Sequence, residues 1–209
     1  MYRVGYIDDE MDSYHDYAKR FARREIELLF PYNCKTKEEI SEWIKENMIK
    51  YFIVDYKLIA EFNFLGTDLV SYLNSKMPDF PCLILTNYPS DSIDENLVPV
   101  DRIESKQIFG PSGREKFDKF VEKIKHSITV FEKRLEVYEQ EYSQLLTKKT
   151  THELNSFEEE RFLELFKLLR AYSEIDDLPD EFLKTEAAVK MDQLLEDVNN
   201  LIEKVKAGS

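Results

Sequence analysis

The sequence lacks any apolar run that could cross a membrane; no stretch approaches the roughly 18 residues such a span needs. Its first residues do not have the basic-then-apolar form of a signal peptide. Cysteine is scarce. Cys34 and Cys82 stand far apart, in no metal-ligand spacing, and each lies in an apolar or strand-like stretch. Both are expected to be reduced, buried thiols, which together with the other absences predicts a cytoplasmic protein. Positive charge is also short: 29 Lys and Arg face 42 Asp and Glu, a formal charge of −13. Residues 1–110 hold 13 basic and 20 acidic residues and 111–209 hold 16 and 22, so neither half conceals a basic domain. This balance opposes a phosphate backbone, and no nucleic-acid partner is expected.

What is present is apolar material for a core: 43% hydrophobic and 13% aromatic residues. The chain changes character near residue 110. Before it, short apolar runs alternate with amphipathic segments. Strands are predicted at Tyr2–Ile7, Pro31–Thr36 (the weakest), Tyr51–Val54, Cys82–Leu85 and Val100–Glu104. Helices are predicted over 13–30, 37–49 and 67–76, with a short polar helix or loop over 90–97. Five β-α units of this kind imply a parallel sheet covered on both faces, with the ligand site at the carboxyl ends of the strands. Asp8 and Asp9, Asp55, Thr86 and Lys106 all fall at such ends.

Three carboxylates brought together would repel and raise one another's pKa. A divalent cation relieves that repulsion, and carboxylate oxygens suit a hard ion such as Mg2+. A carboxylate is also a competent nucleophile toward phosphorus, giving an aspartyl-phosphate. Lys106 can serve as a point charge for a phosphoryl oxygen and the Thr86 hydroxyl as a donor to another. The set supplies nucleophile, metal ligands, cation and hydroxyl without a general base.

In this order and at these strand ends, the residues resemble the receiver domain of two-component response regulators. The resemblance covers about residues 1–125. It implies a flavodoxin-like, doubly wound five-stranded fold, Mg2+ dependence, and phosphorylation of Asp55 by a sensor histidine kinase or another phosphodonor. It also implies Asp9 as direct metal ligand, Asp8 acting mainly through water, and the backbone carbonyl of Lys57 as a further ligand. The chain departs from the pattern at three places. Gln107 stands where proline usually follows the lysine and gives a cis peptide. Ile103 replaces a switching Tyr or Phe, and Asn87 replaces a small residue and is expected to crowd the phosphoryl position. The segment from Asp55 to Gly66 is longer than usual and apolar. Lys57 and Tyr88 flank the site and are expected to shield an acyl-phosphate from water.

Residues 126–209 are expected to form a second, all-α region. Phe117, Val121, Ile124, Ile128, Phe131, Leu135, Tyr138, Tyr142 and Leu145 follow 4-3 spacing, a heptad seam that begins inside the last helix of the first domain. Further helices are predicted over about 156–175 and 180–206, the latter with Ala187, Met191, Leu194, Val198, Leu201 and Val205 in register. Short breaks imply antiparallel packing. His152 and His126 are read as a loop or cap residue and a surface residue. The region is expected to dimerise or dock a protein partner. A phosphate-draining receiver without output and a lapsed receiver acting as a scaffold are the alternatives.

Overall fold

The computed structural model describes residues 1–110, 113–152, 154–172 and 175. The chain divides into two compact units, Met1–Glu139 and a second that begins at Gln140. The helix expected over 180–206, and the break before it, lie outside the described residues.

The first unit is a five-stranded parallel sheet with order β2-β1-β3-β4-β5. Its strands are β1 (Tyr2–Ile7), β2 (Ile26–Leu29), β3 (Tyr51–Val54), β4 (Cys82–Thr86) and β5 (Ile103–Ser105). This is the flavodoxin-like order of the doubly wound class, as the sequence predicts. The first three helices are α1 (Met11–Ala22), α2 (Lys37–Glu46) and the single turn α3 (Ile59–Phe62). They are followed by α4 (Gly66–Lys76), α5 (Pro89–Asp94) and the long α6 (Arg114–Thr151).

The strands alternate their side chains between two buried layers. Val4, Tyr6, Tyr51, Ile53, Leu83 and Leu85 face one side and pack with Phe21 of α1 and Phe117, Phe120, Val121, Ile124 and Ile128 of α6. Phe52, Val54, Cys82 and Ile84 take the other side, over which Ile40 and Ile44 of α2 and Leu69, Val70 and Leu73 of α4 are buried. Trp43 of α2 tilts against Phe52 at 6.3 Å between ring centroids. The start of α2 is set by Thr36, whose hydroxyl accepts from the Glu39 N–H while the Glu39 carboxylate accepts from the Thr36 N–H.

The second strand is not where the sequence pattern put it. The helix predicted over 13–30 stops at Ala22, because Glu25 turns into the left-handed region at φ 65° and the chain reverses. Ile26 and Leu28 are then buried while Glu27 and Leu29 are only partly so, the period of a strand and not of a helix. Tyr2↔Ile26 through Gly5↔Leu29 pair in parallel. Pro31–Thr36 forms a turn, with the Cys34 N–H donating to the Pro31 carbonyl, before the cap of α2. The fifth strand begins at Ile103, since Val100–Arg102 is a 3-10 turn. Both cysteines are buried and unpaired, as expected.

Seven of the nine seam residues of α6 are buried within the chain, and Tyr138 and Leu145 are half-buried. Phe117 through Leu135 are buried in the first unit. Phe131 meets Phe80 edge-on at 5.8 Å, and Arg134 pairs with Asp79 at 3.6 Å. In the second unit α7 (Ser156–Ala171) runs antiparallel to the end of α6. Tyr142 stacks on Phe162 at 5.3 Å, Arg161 grips Glu141 with two bonds of 2.9 and 2.7 Å, and Lys148 pairs with Glu158. Asn155 caps α7, its side chain accepting from the Phe157 and Glu158 N–H groups. His152 is exposed just past α6, and its Nδ1 contacts the Thr151 hydroxyl at 2.9 Å. His126 is exposed on α6.

Phe21 is fully buried and touches Phe109, Phe117 and Phe120 edge-on, so it ties α1 to α6. Phe21→Ala is expected to cost about 3–5 kcal/mol of stability through the cavity it leaves. The measurement is the denaturant midpoint and slope; a loss below about 1 kcal/mol would mean that the two helices are held by other contacts.

Candidate functional site

Sheet register assembles the site. Ile7 pairs with Val54, Val54 with Ile84, and Thr86 with Ser105. The residues that follow or end these strands (Asp8, Asp55, Thr86 and Lys106) are thereby placed along one edge. The Asp55 N–H donates to the Ile7 carbonyl at 2.8 Å, extending the β1–β3 ladder to the site itself.

Asp8 and Asp55 are buried, at 1% and 5% exposure, and Asp9 is partly buried. One carboxylate oxygen from each of the three lies within 4.8 Å of the others. The Lys106 Nζ bridges Asp8 Oδ2 at 2.8 Å and Asp55 Oδ1 at 2.7 Å. The second Asp55 oxygen accepts from the Lys57 N–H at 2.7 Å. Asp8 also accepts from the Tyr6 hydroxyl and, at 3.0 Å, from the Glu10 N–H. Thr86 is fully buried; its Oγ1 accepts from the Tyr88 N–H at 3.0 Å, which leaves the hydroxyl proton to donate. The structure thus brings the predicted Asp8, Asp9, Asp55 and Lys106 side chains together and places Thr86 at the end of the adjoining strand, in register with Ser105.

The electrostatics follow from two buried carboxylates on one ammonium, with a third carboxylate beside them. Burial raises the Asp55 carboxyl above its ordinary range, with Lys106 opposing and Asp8 reinforcing. Asp9 is pushed up to about 6, by burial first and then by its hydrogen bond to Asp8 and the charges of Asp8 and Asp55. Burial works to lower the Lys106 pKa, but Asp55 and Asp8 outweigh it and hold the ammonium charged. Burial, then Asp8, drives the Tyr6 phenol far up, so it acts only as a donor. An oxygen-only donor set with surplus negative charge fits a hard divalent cation; Asp8, Asp9 and Asp55 could hold it.

The flanks add contacts to residues the sequence singles out, and one partner, Glu95, that it does not. Lys57 Nζ sits 3.4 Å from the centre of the Tyr88 ring, a cation–π contact at the mouth of the site. The Glu95 carboxylate accepts from the Tyr56 hydroxyl at 2.7 Å and from the Thr67 hydroxyl, tying α5 to α4 and to the residue beside Asp55. The burial of Thr67 and Tyr56 demanded such a partner, but sequence could not name Glu95. Gly66 passes so close to Asp55 that a Cβ there would lie 2.0 Å from the Asp55 carbonyl oxygen. The long apolar segment after Asp55 buries Leu58 and Phe62 around α3. At the three departures, the Lys106–Gln107 peptide is trans, Ile103 is half-buried in β5, and Asn87 is exposed.

No protein-family model matches the chain, and no curated protein matches it in sequence. Similar solved structures are response regulators and their receiver domains. A response regulator from Thermotoga maritima is 16% identical, covering 62% of this chain and 98% of that one, with a TM-score of 0.44. The receiver domain of the Francisella response regulator 1452 is 15% identical over 62% of this chain and 98% of that one, with a TM-score of 0.47. A Burkholderia pseudomallei response regulator, solved with a phosphorylated aspartic acid, calcium ion and citrate, is 16% identical. It covers 82% of this chain and 98% of that one, with a TM-score of 0.43.

Asp9 links the site to pH. An unfolded aspartate ionises near pH 4 and the folded Asp9 at about 6, so between them the folded state binds more protons than the unfolded one. By linkage, raising the pH across that window destabilises the fold when divalent ions are chelated. Asp9→Asn is expected to flatten this decline, read as denaturant midpoints across the window in EDTA. An unchanged slope would mean that Asp9 ionises normally.

Proposed function

We propose that residues 1–125 act as a receiver that takes a phosphoryl group on Asp55 and that residues 126–209 carry the output. The observation that supports this most is the convergence of a buried nucleophile, two further carboxylates, a buried ammonium and a buried hydroxyl at the ends of four adjacent strands. In this reading a carboxylate oxygen of Asp55 attacks phosphorus, and the bond from phosphorus to the donor breaks. The electron pair leaves with the donor, as acetate when acetyl phosphate is used. Lys57 N–H and Lys106 orient the two Asp55 oxygens before attack. Lys106 then shares its charge with a phosphoryl oxygen, and the Thr86 hydroxyl donates to another. Asp9, Asp55 and the Lys57 carbonyl, with Asp8 acting mainly through water, would hold a Mg2+ ion, which would supply charge neutralisation. Self-catalysed transfer to Asp55 is the whole of the chemistry, so this is a signalling protein and not a classical enzyme.

The donor is a sensor histidine kinase or a small acyl phosphate. The output is a protein partner or a second copy of the chain. The acidic balance of both halves argues against DNA. The test is incubation with acetyl phosphate and Mg2+ followed by intact mass. One added phosphoryl group is expected, lost in Asp55→Asn and on chelation; no addition to the intact protein leaves a lapsed receiver. Oligomeric state measured with beryllofluoride then separates a switch, which changes it or its partner binding, from a phosphate sink, which changes neither.

The Lys57–Tyr88 contact is read as a cover over the acyl-phosphate. Tyr88→Ala is expected to speed loss of the phosphoryl group about tenfold, the effect of about 1.4 kcal/mol on the barrier, measured by mass against time. An unchanged rate would remove the cover from the mechanism.

A further inference from the structure

A cavity of about 590 Å3 in the first unit is lined by Arg20, Arg23, Arg24 and Arg114 together with Ile108, Phe109, Gly110 and Phe117. Four of the chain's nine arginines therefore meet in one hollow of a protein with formal charge −13. Two of them are fixed in place. Arg20 donates to the Phe109 carbonyl at 2.7 Å, and its guanidinium lies 5.8 Å from the Phe109 ring centre. Arg24 holds Asp118 through Nε at 3.0 Å and Nη2 at 2.6 Å and lies over Phe117 at 5.3 Å. Each uses one or two of its five N–H donors, so the remainder are free for a ligand. Arg23 and Arg114 make no ion pair or hydrogen bond among the described residues and are exposed.

No carboxylate lines the cavity among the described residues. The nearby acids are engaged: Asp118 with Arg24, Glu115 with Lys119 and Glu25 with Lys125. Four guanidiniums against one partnering carboxylate leave a concentrated positive charge, which costs energy unless an anion compensates it. Planar guanidinium forks match phosphate oxygens in pairs, and several arginines suit a ligand with several phosphates. The volume falls in the range of small-molecule sites and exceeds what an inorganic phosphate fills. Ile108, Phe109 and Phe117 offer an apolar wall for an organic part.

We propose that this arginine pocket, between the end of α1 and the start of α6, binds an organic polyphosphate of nucleoside-triphosphate size. It is separate from the acidic site: its ligand is an anion and needs no divalent ion. The proposal does not depend on Asp55 chemistry.

The test uses the full chain in EDTA, with ATP as probe and calorimetry as readout. Saturable one-to-one binding is expected, weakening as salt rises. In the double variant Arg23→Ala/Arg114→Ala, binding is expected to fall about tenfold for each arginine removed. The control Lys19→Ala/Lys116→Ala removes the same charge from exposed positions outside the cavity and should bind as the unaltered chain does. Because the two arginines are exposed and without ion pairs among the described residues, and their mutual repulsion is relieved, melting of the ligand-free double variant should not fall. Absence of ATP binding, equal loss in the control, or displacement of ATP by an acidic peptide at equal concentration would overturn the assignment.

Discussion

The ammonium of Lys106, held between two buried carboxylates, is the interaction on which the acidic edge depends. Asp8 and Asp55 come from strands that are neighbours in the sheet, and nothing in the backbone keeps their charges apart. Desolvating each is costly, and removing the cation would leave two uncompensated charges in a poorly hydrated space. The lysine stabilises the edge in exchange for a fixed place. It can reach both carboxylates because β5 ends one residue before it, in register with the end of β4. The site's chemistry and the sheet's alignment are therefore one constraint.

Much of this was legible in the sequence, for a physical reason. Central strands buried on both faces must be short, continuous and apolar, and Tyr51–Val54 and Cys82–Thr86 could be read as nothing else. Polar residues ending such strands stand out, which is why Asp55, Thr86 and Lys106 were visible. The edge strand was not. Ile26–Leu29 carries Glu27 on a half-exposed face and follows an amphipathic helix without a Pro or Gly, so helical periodicity runs through it in the sequence. Only the left-handed turn at Glu25, unusual for that residue, separates the two.

Side-chain partnerships were hidden for a different reason. Tyr6 lies two residues before Asp8 and reads as core, yet its hydroxyl is one of the bonds that hold that carboxylate. The two hydroxyls on Glu95 come from 39 and 28 residues away. The arginine pocket draws on two segments about 90 residues apart, so composition alone, which reports an acidic chain, conceals it. In each case the information lies in which loops the sheet brings together, and a linear pattern does not contain it.

Gly66 shows what this closeness means for variation. With a Cβ placed 2.0 Å from the carbonyl oxygen of Asp55, position 66 admits no side chain unless the Asp55 backbone moves. The loop before it, with α3 inside, divides into Leu58 and Phe62, which are buried, and Lys57, Ile59, Ala60 and Glu61, which are exposed. A library that randomises the exposed four while holding 58, 62 and 66 would explore new surroundings for Asp55 on an unchanged frame. One that varies 66 as well would spend most of its members on chains in which the Asp55 backbone has been displaced.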